Sequence, residues 1–253
     1  MRIQVTPDKI KGKEVLITGG AKRVGADIAR YLAACGCNLI IHYYSSRGEA
    51  EALKNEIEEE YAVKVVLVSA DLSKEADVKA IFAIHSPDVV VNNAARFEVG
   101  NYQSNSDANT TSSFLVSQEA IRRMVADKKR GVIFLVGDAF LERGGVYPGD
   151  LSGYALSKGG ISKLVSALAA AHGKSGIRVN AIFNGPIEPP PTAKPEAIAS
   201  IKAEINLPDE DLHPWIGGKA VGEAIVQFFG VRALNGAPIF LDGGRQWRAP
   251  VEH

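Results

Sequence analysis

Short apolar runs alternate along this chain with stretches in which apolar positions recur every three or four residues. The runs fall at residues 14–18, 38–43, 64–69, 88–92, 131–136, 178–183 and 237–241 and are rich in Val, Ile and Leu. Near-continuous apolar runs of this length mark strands buried on both faces of a sheet. The 3.6-residue spacing predicts helices over about 24–35, 48–60, 75–84, 106–128, 152–173 and 218–230. A strand that is followed each time by a helix cannot form hairpins, so parallel neighbours joined by crossovers are expected. The fold class is therefore α/β: one doubly wound domain over residues 1–253, with about seven parallel strands and helices on both faces. No internal repeat or linker divides it. Only residues 184–217 break the alternation, opening Asn184-Gly-Pro-Ile-Glu-Pro-Pro-Pro191 and leading into a weak helical pattern from Pro195 to Ile205. A long irregular segment in a compact domain is usually functional, and this one reads as a substrate lid.

Composition changes that picture little and narrows the partners. Twenty-nine basic residues balance 29 acidic ones, which argues against nucleic acid or an anionic membrane as partner. No apolar run approaches 18 residues, and the first eight residues lack a signal peptide's apolar stretch. Cys35 and Cys37, the only cysteines, are too close for an ordinary disulfide or a zinc pair. They read as buried thiols of a reducing compartment. The five histidines lack metal-ligand spacing, so a cytoplasmic protein without a metal is expected.

Ligands of parallel sheets bind beyond the carboxyl ends of the strands. Thr18, Tyr44, Asp71, Asn93 and Asp138 fall at or just after such ends and should converge on one crevice. The first strand runs into Gly19-Gly-Ala-Lys-Arg-Val-Gly25 and then a helix. A glycine-rich turn at a helix N-terminus offers backbone N–H groups and the positive end of the dipole to a pyrophosphate, as in Rossmann-type folds. Further on, Tyr154 and Lys158 lie four residues apart in Gly153-Tyr-Ala-Leu-Ser-Lys158. That spacing puts phenol and ammonium on one helix face, where the cation is expected to lower the phenol pKa for proton transfer.

Together these residues resemble the short-chain dehydrogenase/reductase family across nearly the whole chain. The glycine turn after Thr18, Asp71-Leu72, Asn92-Asn-Ala-Ala95, Tyr154 to Lys158, Arg178-Val-Asn-Ala181 and Leu241-Asp-Gly-Gly244 occur in the family's order. The resemblance implies NAD(P)-dependent hydride transfer, with Tyr154 as acid, Lys158 as its pKa partner and ribose anchor, and Asn109 holding a water near the lysine. It implies cofactor contacts from Gly19, Lys22, Arg23, Val24, Gly25, Tyr43, Tyr44, Ser45, Ser46, Arg47, Asp71, Leu72, Asn93, Ala94, Lys158, Gly185 and Ile187. It also implies a homodimer or homotetramer.

The second strand ends His42-Tyr-Tyr-Ser-Ser-Arg47, without an acid before Glu49 to take a ribose 2′-hydroxyl. Arg47, the hydroxyls of Ser45 and Ser46, and Arg23 in the turn suit a 2′-phosphate instead, so NADPH is the expected cofactor. The fifth strand leads into Asp138 where the family usually has a serine that polarises a carbonyl. An ionised carboxylate disfavours an adjacent oxyanion, whereas a carboxyl in an apolar pocket can be raised in pKa and relay a proton to a ring nitrogen. Asp138, Arg23, the His42-Tyr43 pair and Phe97 resemble the pteridine reductase branch, in which a phenylalanine stacks on the pterin. Arg23, Phe97, Asp138 and Tyr154 are then the expected substrate contacts. Ala95 in place of a serine, Asn184 in place of a proline and a long gap from Asp138 to Tyr154 depart from that branch. Two other readings stand beside it: a carbonyl reductase of the 3-oxoacyl-carrier-protein type, and a non-catalytic NADPH-binding regulatory protein.

Overall fold

A computed structural model of the chain describes residues 9–185, 187, 195, 196, 199 and 217–244. The expected lid and the weak helix from Pro195 lie almost wholly outside those residues. The strands are β1 (Glu14–Ile17), β2 (Asn38–Tyr43), β3 (Val65–Ser69), β4 (Val89–Asn92), β5 (Val132–Asp138), β6 (Arg178–Asn184) and β7 (Pro238–Leu241). They form one seven-stranded sheet in the order β3-β2-β1-β4-β5-β6-β7, and every pairing is parallel.

Successive strand residues point to opposite faces, so each run feeds two cores. Val15, Ile17, Leu39, Ile41 and Phe134 meet one set of helices: α1 (Arg23–Ala34), α2 (Arg47–Glu60) and the last described helix, Gly218–Phe229. Leu16, Ile40, Val90, Ile133 and Leu135 meet α3 (Glu75–Ile84), α5 (Ser112–Ala126) and α8 (Ile161–His172) on the other face. Burial on both sides is what the unalternating apolar runs required. Each fully buried Val, Leu or Ile contributes about 1.5–3 kcal/mol of transfer free energy.

Two expected helices are interrupted. The 106–128 stretch is α4 (Tyr102–Ser106), a π-helical turn at Asp107–Thr111, and α5. Asn105 on α4 and Asn109 on the wider turn are fully buried, with their amides bonded to the backbone of Glu98 and Arg96. The 152–173 stretch breaks at Gly159-Gly160 into α7 (Ser152–Gly159) and α8. One short helix escaped the periodicity altogether: α6 (Ala139–Glu142), capped by Asp138, whose Oδ1 accepts from the N–H groups of Phe140 and Leu141. The Gly218–Phe229 helix, α9, packs on α1 where a Cβ at Gly218 would lie 2.2 Å from the Val24 carbonyl oxygen.

Candidate active site

The sheet order reverses direction between β1 and β4, and such switch points open a crevice at the strand ends. The glycine turn fills its floor. Thr18 Oγ1 accepts from the N–H groups of Asn93 and Ala94 at 3.0 and 2.9 Å. The Asn93 amide in turn donates to the carbonyls of Thr18 and Gly19. Gly19 has φ +60°, and a Cβ on Gly25 would stand 2.1 Å from the Gly19 oxygen, so only glycine closes this turn. Arg23 also has a positive φ, +53°, where a non-glycine residue is strained. Strain of that kind collects at ligand sites.

Buried His42, at the end of β2, locks the turn from below. Its Nδ1 accepts from Gly19 N at 3.1 Å, its Nε2 donates to the Ala70 carbonyl at 3.1 Å, and its own carbonyl accepts from Gly20 N at 2.9 Å. Burial pushes the His42 pKa down, which keeps the ring neutral and its Nδ1 an acceptor. Because Gly19 and Gly20 spend their N–H groups on His42, Gly19 shapes the turn rather than donating to a ligand. The donors left for an anion are the first-turn N–H groups of α1, from Arg23, Val24 and Gly25. No acidic residue occupies that turn. A cradle that a single Cβ would fill, facing donors and lacking acids, fits a dinucleotide pyrophosphate.

The remaining expected cofactor contacts ring the same crevice unevenly. Tyr43 is half-buried and Tyr44 exposed, and Ser45 and Ser46 form the loop into α2. Arg47 is exposed at the start of α2, and its Nε donates to Glu51 one helical turn on, at 2.8 Å. Lys22 and Arg23 are the basic groups on the turn itself. Asp71 is occupied with its own loop, accepting from Ser73 N and Oγ, which holds its carboxyl below the usual range, while Leu72 is buried beneath. Gly185 donates to the Leu241 carbonyl, and Ile187 is half-buried beyond β6.

The catalytic candidates meet at the end of β5. Asp138 Oδ2 accepts from Tyr154 Oη at 3.0 Å and from Tyr147 Oη at 2.9 Å. Asp138 therefore sits among four donors, not in an apolar pocket as the sequence implied. Lys158 is buried on α7 and donates to the Val136 carbonyl at 3.1 Å. Burial brings its pKa down to about 8. Tyr154 is displaced the other way: burial, followed by the charge of Asp138, pushes its pKa up. This corrects the expectation of a phenol acidified by Lys158. The neighbour that dominates the phenol is a carboxylate, and it stabilises the protonated form. Asn109 Nδ2 donates to Ser157 Oγ and to the Arg96 carbonyl, so its side chain braces α7 against the π-helical turn.

Phe97 lies edge-on to Tyr154 with ring centroids 4.6 Å apart, and Tyr147 stands between Tyr154 and Phe140 at 5.6 and 5.1 Å. Phe97 is 57% exposed, so this aromatic wall opens outward. Below it, Arg143 stacks over Phe240 at 3.9 Å and pairs with Asp242 at 2.7 Å, tying the loop after α6 to the end of β7. Sequence reading missed Tyr147. The only signal for it was the extra length between Asp138 and Tyr154, which carries this residue.

The family model for short chain dehydrogenase matches residues 13–197. The chain is a short-chain dehydrogenase/reductase. It is 31% identical over 255 residues to 3beta-hydroxysteroid dehydrogenase 1 of Eggerthella lenta, covering 94% of this chain and 95% of that protein. Among solved structures, a short-chain dehydrogenase from Burkholderia cenocepacia in complex with NADP superposes with a TM-score of 0.79. It is 26% identical, and the match covers 94% of this chain and 99% of that one. A mutant short-chain dehydrogenase/reductase from Serratia marcescens superposes with a TM-score of 0.81 at 26% identity, covering 93% and 98%. The short-chain dehydrogenase/reductase is thus an oxidoreductase with a nicotinamide cofactor. None of these relatives is described as a pteridine reductase. Among the described residues no helix is long and apolar enough to cross a membrane.

Proposed function

We propose that this protein is an NADPH-dependent reductase acting on a flat, pterin-like heterocycle at a carbon–nitrogen double bond. The observation that carries the reading is the Asp138 carboxylate, hydrogen-bonded to Tyr154 where a carbonyl reductase needs a neutral donor. An oxyanion forming there would face a negative charge at close range, whereas a ring nitrogen taking up a proton would be favoured. NADPH, when bound, supplies the hydride. Tyr154 holds the proton that reaches the substrate nitrogen, and Asp138 and Tyr147 orient that hydroxyl. Lys158, buried with its pKa brought down to about 8 and its ammonium at the Val136 carbonyl, is the expected anchor of the nicotinamide ribose. Phe97 supports a planar ring from the open side of the aromatic wall.

Lys22 and Arg23 on the turn, with no acid between the end of β2 and Glu49, support NADPH over NADH. The 31% identity to a steroid dehydrogenase favours a second reading, in which the same aromatic wall receives a polycyclic 3-ketone or 3-alcohol. Turnover by the purified protein decides between them. Dihydropterin, a 3-ketosteroid and a 3-oxoacyl thioester are each offered with NADPH and with NADH. Rapid NADPH oxidation with dihydropterin alone is expected. Turnover of the ketosteroid with inertness to pterins establishes the second reading and ends the first.

A further inference from the structure

A second concave region lies at the opposite end of the sheet from the crevice. At the N-terminal ends of β5 and β6, a hollow of about 570 Å³ is lined by Lys9, Arg130, Arg178 and Arg232. Its other walls are mainly glycine, and among the described residues no Asp or Glu lines it. Among the described residues, none of the four cations has a carboxylate within 4.0 Å. That is unusual for this chain, whose formal net charge is zero and whose other arginines are commonly paired, as Arg30 is with Glu56, Arg122 with Glu119 and Arg123 with Asp127. Asp88, the acid that heads β4 at this end, is taken by Lys13 and Lys129.

One of the four cations has a structural reason to be there. Arg178 donates to the carbonyls of Phe229, Val231 and Leu234 and so closes the C-terminal end of α9. Arg130 stands near enough to Arg178 for their charges to repel, adding to the burial that lowers the Arg178 pKa. Lys9 is exposed and lies over Gly230 where α9 ends, and Arg232 is exposed with no carboxylate partner among the described residues. Like charges gathered around a concave surface focus a positive potential into it. The glycines give the cations their seats: the stem of Arg130 lies against Gly176 and that of Lys9 against Gly230.

We infer that this hollow binds a compact multivalent anion of the polyphosphate class, with Arg130 and Arg232 as its principal cationic contacts. A volume of about 570 Å³ lies within the range of small-molecule sites and suits a di- or triphosphate group. Planar guanidinium groups give such oxygens paired hydrogen bonds. The site is separate from the crevice and independent of which substrate is reduced there.

Calorimetric titration of the full chain with sodium triphosphate, at fixed ionic strength and with saturating NADPH, tests it. One site per chain is expected, and Arg130→Gln with Arg232→Gln should weaken it at least tenfold while leaving NADPH affinity unchanged. Lys22→Gln, on the glycine turn, should leave triphosphate binding intact. ATP in place of triphosphate separates a nucleotide's phosphates from the inorganic chain, and binding of either supports the site. No binding, binding abolished by Lys22→Gln but untouched by the double variant, or an equal response to sodium chloride would each overturn the proposal.

Discussion

Replacing Asp138 with asparagine removes a charge while keeping the shape, and so isolates what the carboxylate does to Tyr154. The Asn side chain still accepts from the Phe140 and Leu141 N–H groups, because Asn and Asp rank alike as helix N-caps. Its Nδ2 replaces the oxygen that accepts from the Tyr147 and Tyr154 hydroxyls, so a stability loss of about 1–3 kcal/mol is expected. The phenol is affected as well. Asp138 Oδ2 lies 3.0 Å from Tyr154 Oη, which puts the centres of a carboxylate and a phenolate roughly 4 Å apart. Two like charges at that separation repel by about 1 kcal/mol in water and about 4 kcal/mol near a protein surface. In pKa this is a fall of about 0.7 to 3 for Tyr154 when the charge is removed. Protein carrying tyrosine labelled with carbon-13 at Cζ allows each phenol to be titrated by NMR, and Tyr154→Phe assigns the signal. In the wild type, Tyr154 should remain protonated beyond the ordinary tyrosine range, and in Asp138→Asn it should titrate earlier. The stability consequence has a definite sign. A phenol whose folded pKa exceeds its unfolded value of about 10 adds stability that is complete below that pH and lost as pH rises above it. Asp138→Asn should therefore lose less stability in alkali than the wild type does. An unmoved Tyr154 titration in the variant would refute the electrostatic account of this site.

Other perturbations read different parts of the molecule. His42→Leu leaves Gly19 N without its acceptor and should weaken NADPH binding roughly tenfold or more with little change in kcat; His42→Asn should restore much of it, as measured by fluorescence titration of NADPH. Because His42 is kept neutral by burial, wild-type stability should drop as pH falls below about 6.5, where the unfolded histidine takes up a proton, and His42→Asn should flatten that drop in thermal melts. Lys158→Met should abolish turnover yet stabilise the chain by about 3 kcal/mol at neutral pH, since burial holds the ammonium at about 8 against an ordinary 10.5. The wild type should gain stability between about pH 8 and 10.5 in denaturant titrations, and the variant should not. Gly25→Ala drives a methyl carbon to 2.1 Å from the Gly19 oxygen, so loss of cofactor affinity with an unfolding midpoint lowered by several degrees is expected from calorimetry.

The strands were legible because burial on both faces leaves no choice of residue type. The apolar runs at 38–43 and 178–183 became β2 and β6 with ends moved by at most one residue. The π-helical turn was not legible, since it accompanies hydrogen bonds from Asn105 and Asn109 to the backbone of Glu98 and Arg96, contacts that leave no periodic trace. α6 was equally hidden: four residues are too few for a period, and its start depends on the Asp138 carboxylate folding back as a cap.

Local pattern alone therefore determined the parallel sheet, the glycine turn at its switch point and the one-turn spacing of Tyr154 and Lys158. All three follow from short-range geometry: side-chain alternation, positive φ and helical pitch. The tertiary structure alone decided which charge Tyr154 feels. Lys158 is nearer in sequence, but its ammonium is drawn to the Val136 carbonyl, while Asp138 and Tyr147 arrive from a different strand and loop. Electrostatic energy depends on distance through space and on burial, and neither is written in the spacing of residues along a chain.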